Sequence, residues 1–150
     1  MKLRILYLLP FFSVCFLMMN GCSGTKTSAP TPNIPSGTFS GPFYLYHLHE
    51  KTGLIDTMTA NVNLTINKTG FAVTGDTATL HAGSYGGYIV NSTFTAIDFV
   101  DKTYPTTGTP TKVHLNGVYE YTFNGTSLQM EATSPFDTLQ YYYNLNRTSN

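Results

Sequence analysis

Apolar and polar residues alternate with a period of two through most of the chain beyond residue 36. Met58, Ala60, Val62, Leu64 and Ile66 fall on one side of the alternation, and Thr59, Asn61, Asn63 and Thr65 on the other. Successive strand side chains point to opposite faces, so this segment reads as a strand with one buried and one wet face. Asn67-Lys68-Thr69-Gly70 then turns the chain, with Gly70 free to take a positive φ. Phe71, Val73 and Gly75 resume the inward set. By the same reading a first strand runs from about Thr38 to His49, with Phe39, Gly41, Phe43 and Leu45 on one face. Tyr85, Gly87 and Ile89 mark a fourth strand. A fifth covers Thr93 to Phe99 and leads into a loop from Asp101 to Pro110. Leu115 to Phe123 is the sixth, Asn124-Gly125 a hairpin signal, and Ser127 to Glu131 the seventh. Leu139, Tyr141, Tyr143 and Leu145 set the eighth. No convincing run at helical spacing competes with these.

Eight short strands joined mostly by tight turns predict an all-β domain, an eight-stranded antiparallel up-and-down (meander) β-barrel. Closing the sheet removes its hazardous free edges. An open sandwich is the alternative, but sandwiches usually need longer crossovers than these hairpins allow. A barrel of this size holds packed side chains or one small ligand.

The first 22 residues follow a different rule. Lys2 and Arg4 precede an apolar run from Ile5 to Met19, and Gly21-Cys22 closes it. Basic, apolar and small residues in that order read as a bacterial export signal. The run is shorter than the roughly 20 residues of a spanning helix, and Pro10 interrupts it. Cys22 after Gly21 resembles the acceptor of a lipoprotein lipobox. Met19 stands where that pattern prefers Leu, and a plain cleaved signal is the rival reading. The chain has two cysteines, and Cys15 would leave with the signal. Cys22 would then be the only thiol, which lipidation accounts for, leaving no intrachain disulfide and no Cys-based metal site. Two or three acyl chains, at about 0.8 kcal/mol per buried methylene, would anchor the protein durably.

Ser23 to Ser36 has almost no large apolar residue, and Pro30, Pro32 and Pro35 favour an extended backbone. The expected organisation is therefore a signal peptide over 1–21, a lipidated Cys22 with a flexible tether over 22–36, and a barrel domain over 37–150. The expected place is the bacterial cell envelope, lipid-anchored at the outer membrane. Without Lys2 and Arg4 the chain keeps six basic against eight acidic residues, a net charge of −2. That sparse, slightly acidic balance argues against nucleic acid as a partner.

Gly37-Thr38-Phe39, Leu115-Asn116-Gly117-Val118-Tyr119-Glu120-Tyr121 and Leu145-Asn146-Arg147 open or end strands. Their layout over residues 37–150 resembles the small lipocalin-like (calycin) lipoproteins of bacteroidete bacteria. Lipocalins carry Gly-x-Trp on the first strand and a late Arg packed across the Trp. Here Phe39 stands for the Trp, since the chain has none, and Arg147 for the Arg. The resemblance implies that Phe39 and Arg147 touch at the closed end of the barrel. It implies a fold and a cavity, not a substrate.

Other chemistry is thinner. His47 and His49 share a strand face and would need His81 or His114 to complete a zinc site; with no Cys available they read as rim residues, and no metal or other cofactor is expected. Glu120, Glu131, Asp98 and Asp101 are candidate carboxylates that more simply solvate strands. Ser, His and Asp are present without a nucleophile elbow, and Gly83 to Gly87 reads as close strand packing, so no catalytic residue is expected. Phe43, Leu45, Tyr85, Tyr121, Tyr141 and Tyr143 are the candidate lining for a small apolar ligand. The alternative is a filled core and an exterior used for protein or glycan contacts. Asp56-Thr57, Asp76-Thr77 and Asp137-Thr138 resemble the bacteroidete O-glycosylation signal at Thr57, Thr77 and Thr138, although Asp-Thr is also ordinary turn chemistry.

Overall fold

A computed structural model describes residues 33–134 and 138–149. They form a closed barrel of eight antiparallel strands, each paired with its sequence neighbours and the last with the first. The strands are β1 (Gly37–His49), β2 (Leu54–Asn67), β3 (Gly70–Gly75), β4 (Tyr85–Val90), β5 (Ala96–Asp101), β6 (Gly117–Phe123), β7 (Ser127–Thr133) and β8 (Leu139–Ser149). The up-and-down path puts the connections 68–69, 91–95 and 124–126 at one end, the tight-turn end. The longer loops 76–84 and 102–116 lie at the other.

The alternation in β1, β2 and β8 translates directly into burial. Phe39, Phe43, Leu45, Ala60, Val62, Leu64, Ile66, Tyr143 and Leu145 all face the core and are buried. Met58 shares that face by register with Leu45, yet it is exposed. The reason is length. β2 pairs with β3 only from Val62 to Asn67, so the β1–β2 hairpin projects past its neighbour and Leu54 to Thr59 have β1 on one side alone.

β4 reverses the expectation for Tyr85. Tyr88 pairs with Phe99 and packs on the core, while Ile89 pairs with Asp98 outside, so Tyr85 also faces solvent. Both faces of β4 carry apolar residues, and the sequence pattern alone leaves its orientation open. The fifth strand begins at Ala96, because residues 91–95 are a turn built around Asn91. Its Oδ1 accepts from the amides of Thr95 (2.9 Å) and Ala96 (3.1 Å). Phe94 takes the left-handed φ of 57° there. Similarly, β6 begins at Gly117, and Leu115 is a buried loop residue.

The shortest ladder is β3–β4, with only the pairs Phe71–Gly86 and Ala72–Tyr85. Two glycines make it: a Cβ on Gly70 would strike Gly86 O, and one on Gly86 would strike Val100 O. Gly87, on the opposite face, has open space around it. We therefore expect Gly86→Ala to lose about 1–3 kcal/mol in urea unfolding, since β4 must move off β5, and Gly87→Ala to lose less. Equal losses would contradict the close-approach explanation.

Candidate functional site

The barrel interior is the natural candidate site, and it is occupied by the protein itself. Phe43 on β1, Phe99 on β5, Tyr119 on β6 and Tyr143 on β8 converge there with ring centroids 4.7 to 5.9 Å apart. Loop 76–84 adds His81, which is fully buried and meets Phe43 edge-on at 5.0 Å. The loop is held inward by its partner loop: Val113 N donates to Leu80 O (2.9 Å) and Ala82 N to Val113 O (2.8 Å). Ser84 O accepts from Val73 N at 2.7 Å, which extends the short β3–β4 contact.

His81 Nδ1 donates to the Ala82 carbonyl, so its Nε2 is an acceptor. The Tyr143 hydroxyl lies 2.7 Å from that nitrogen and donates to it. Tyr143 is in turn hydrogen-bonded to Tyr119. Burial raises both phenols above their ordinary range and keeps them neutral. Burial also lowers His81 from 6.5 to about 4, against the opposing pull of the Ala82 carbonyl. The imidazole is therefore neutral at physiological pH.

Beside it sits a second buried polar group, Asp101 at the end of β5. Its Oδ1 accepts from Thr103 N and Oγ1, each at 2.7 Å, and its Oδ2 from His114 Nδ1 at 2.7 Å. Burial pushes this carboxyl up, but the bonds from Thr103, His114 and Ser84 outweigh that and hold it below 3.8. Ser84, His114 and Asp101 thus come together, in the wrong order for nucleophilic catalysis. The Ser84 hydroxyl bonds the carboxylate and accepts from Leu115 N (3.1 Å), whereas a triad needs it on the imidazole. The arrangement ties β5 to both inward loops. Sequence reading missed it because its members are polar, lie in or beside loops, and are separated by up to thirty residues of chain.

Of the proposed lining residues, Phe43, Leu45, Tyr121 and Tyr143 are buried inward, and Tyr141 is half-buried on the core side. Tyr85 is corrected to the outer wall, where it is 55% exposed. The Tyr121 hydroxyl is buried without a hydrogen-bond partner among the described residues. Tyr142 lies outside beside Tyr44, ring centroids 6.0 Å apart. Among the described residues, shallow hollows occur on the outer wall. One of about 260 Å³ is lined by Glu120, Thr122, Gln129, Glu131 and Tyr142, and one of about 170 Å³ by Ile89, Asp98 and Val118. Glu120 and Glu131 pair directly across β6 and β7. Among the described residues no three His, Cys, Asp or Glu side chains already form a metal cage.

Phe39 and Arg147 are paired across β1 and β8 at the tight-turn end. The Arg147 Cζ is 5.4 Å from the Phe39 centroid and 5.2 Å from that of Phe123, whose ring meets Phe39 edge-on. Nη2 donates to Ser36 O at 2.8 Å, and Asn33 Nδ2 donates to Phe123 O at 3.2 Å. Pro35 is buried. The last four residues of the expected tether, 33–36, are therefore packed on the barrel. Cys22 and Asp137 lie outside the described residues. Thr57 is exposed, and Thr77 and Thr138 are partly so.

No family model matches this chain, and comparisons with curated proteins and with solved structures return no significant match.

Two predictions follow from these contacts. A histidine whose folded pKa is depressed stabilises the fold fully above its unfolded pKa and progressively less below it. Stability should hold above pH 6.5 and fall by roughly 3 kcal/mol towards pH 4. Urea midpoints should show this slope, and His81→Gln should flatten it; an unchanged slope in the variant would contradict the assignment. Arg147→Ala should cost about 1–2 kcal/mol, and Arg147→Lys should recover only part, because a point charge cannot cover two rings as a plane does. Full recovery by lysine would show that charge alone matters.

Proposed function

We propose that this chain is a lipid-anchored module of the bacterial cell envelope, held at the outer membrane by acyl chains on Cys22, with a lipocalin-like barrel that is non-catalytic. It works as a structural or interaction module through its exterior. One observation carries this reading: the barrel axis is filled by Phe43, Phe99, Tyr119, Tyr143 and the inserted His81. An apolar ligand there would have to expel the His81 loop and strand the buried Asp101 network, each unpaired polar group costing about 1–3 kcal/mol. On this reading the barrel carries no apolar ligand.

Apolar exposure on the outside supports the same reading. Tyr85, Ile89, Val100 and Val118 are each more than half exposed on the outer wall of β4, β5 and β6. The register sets Ile89 and Val118 on either side of Asp98. A group of apolar residues outside a well-filled core is what an interaction surface presents. Thr57, Thr77 and Thr138 all lie towards the long-loop end, opposite the end where β1 begins at Gly37.

Native mass spectrometry of protein purified from its own envelope tests the whole reading. The expected species is polypeptide from Cys22 plus acyl chains, with any glycan as a further mass step and no small apolar ligand. A stoichiometric apolar ligand would overturn the filled-core module, and an unacylated mature chain would overturn the anchoring.

A further inference from the structure

The β1–β2 hairpin carries a row of main-chain groups without a neighbouring strand. β2 pairs with β1 without a break from Leu54 to Ile66, but with β3 only from Val62 to Asn67. Asp76 N makes the last bond to this edge, on Asn61 O at 2.8 Å, and the chain then leaves for loop 76–84. Backbone groups of an antiparallel strand turn to its two neighbours alternately, residue by residue. Asn61 faces the β3 side, so Ile55, Thr57 and Thr59 face it too. Leu48, the register partner of Ile55, likewise turns its N–H out of the hairpin, on Thr138 O at 2.8 Å. Among the described residues, no strand or loop pairs with Ile55, Thr57 or Thr59 on that side. Leu54 to Thr59 are all exposed, Leu54 at 65% and Ile55 at 62%.

We propose that this edge takes up an extended segment of a partner polypeptide, which adds to the sheet as a further strand. The main chain itself selects that chemistry. Like groups recur every second residue, about 6.8 Å apart, and an extended peptide repeats its own donors and acceptors at the same interval. A sugar, a lipid or an ion has no such repeat. Exposed edges usually carry Lys, Pro or a bulge that deters pairing. Leu54 to Thr59 carry none of these: the register with β1 is regular, and the one charge, Asp56, is held by His49 at 2.6 Å. Leu54 and Met58 lie on one face of the edge and Ile55 on the other, so apolar side chains of the incoming strand find contacts on both. Asp56 favours Lys or Arg opposite it over Asp or Glu. This names a partner chemistry for the interaction module proposed above and rests on that reading. A second copy fits less well: pairing edge to edge about a two-fold axis, it would turn its Gly37 end the opposite way, against a common membrane anchor.

The test uses the full chain in detergent and a short synthetic peptide of alternating Val and Thr with a Lys at each end, read by amide hydrogen exchange and sedimentation. The peptide should bind one to one, and exchange of the Ile55, Thr57 and Thr59 amides should slow at least about tenfold. The same peptide N-methylated throughout should bind at least about tenfold more weakly, because it brings no main-chain donors. Thr59→Pro removes an outward N–H where an edge strand tolerates proline; it should weaken binding while leaving the urea midpoint near that of the unsubstituted chain. The N-methyl comparison needs no variant, so a folding defect cannot mask the answer. Unchanged exchange at these three amides with peptide in excess, equal binding of the N-methylated peptide, or a dimer joined through this edge in place of peptide would each overturn the proposal. Those outcomes leave the filled core untouched; a stoichiometric apolar ligand in the native mass spectrum fails the wider reading instead.

Discussion

The hydrogen bond between Tyr143 and His81 joins the barrel wall to the loop that fills it. Tyr143 is on β8, the strand that closes the sheet against β1, and His81 is in the connection between β3 and β4, the shortest ladder. Both side chains are fully buried. The bond lets a polar loop enter an aromatic interior at low cost, because the imidazole has an acceptor for Nδ1 and a donor for Nε2. Without it the loop would bury unsatisfied nitrogen, and the β3–β4 seam would lose the backing of Val73 N on Ser84 O. The Asp101 carboxylate performs the matching task for loop 102–116, gathering Thr103, His114 and Ser84 around one charge. Two polar clusters thus tie the buried residues of the two long loops, His81 and Ser84 in one and Leu115 in the other, to the core.

That filling bears on the proposed function. An eight-stranded barrel stands near the size limit at which side chains alone occupy its centre. Here large rings and an inserted imidazole occupy it. The exterior is uneven: an apolar group on β4, β5 and β6, a tyrosine pair on β1 and β8, and the imidazole–carboxylate hairpin beyond the rim. At the opposite end Arg147 packs on two phenylalanine rings and secures residues 33–36, where the chain arrives from its amino-terminal segment.

The number of strands, their order and the closed sheet were legible because β2 from Met58 alternates strictly and β1 and β8 keep an inward apolar face, even though Tyr44, Tyr46 and Tyr142 add rings on the other. β4 was not, because Tyr85 and Ile89 are as apolar as Tyr88 and Val90; cross-strand pairing with Phe99 decides between them. The start of β5 was misplaced because Thr93 to Thr95 look like strand residues, while Asn91 folds them into a turn. Phe43, Leu45, Tyr121 and Tyr143 could be read as inward, but not what they meet there. His81, Ser84 and Asp101 become a site only in three dimensions, and none carries a local periodicity that marks it for burial. The nearest signal was the glycine cluster from Gly83 to Gly87, whose close packing is seen at Gly86 against Val100.

The central claim is that protein, not empty space, occupies the barrel axis. Xenon-pressurised crystals test it directly, because dry apolar cavities take up xenon. The account predicts no xenon between Phe43, Tyr119 and Tyr143, with the His81 imidazole within hydrogen-bond distance of the Tyr143 hydroxyl. Xenon bound among those rings, with the His81 loop turned outward, would contradict it.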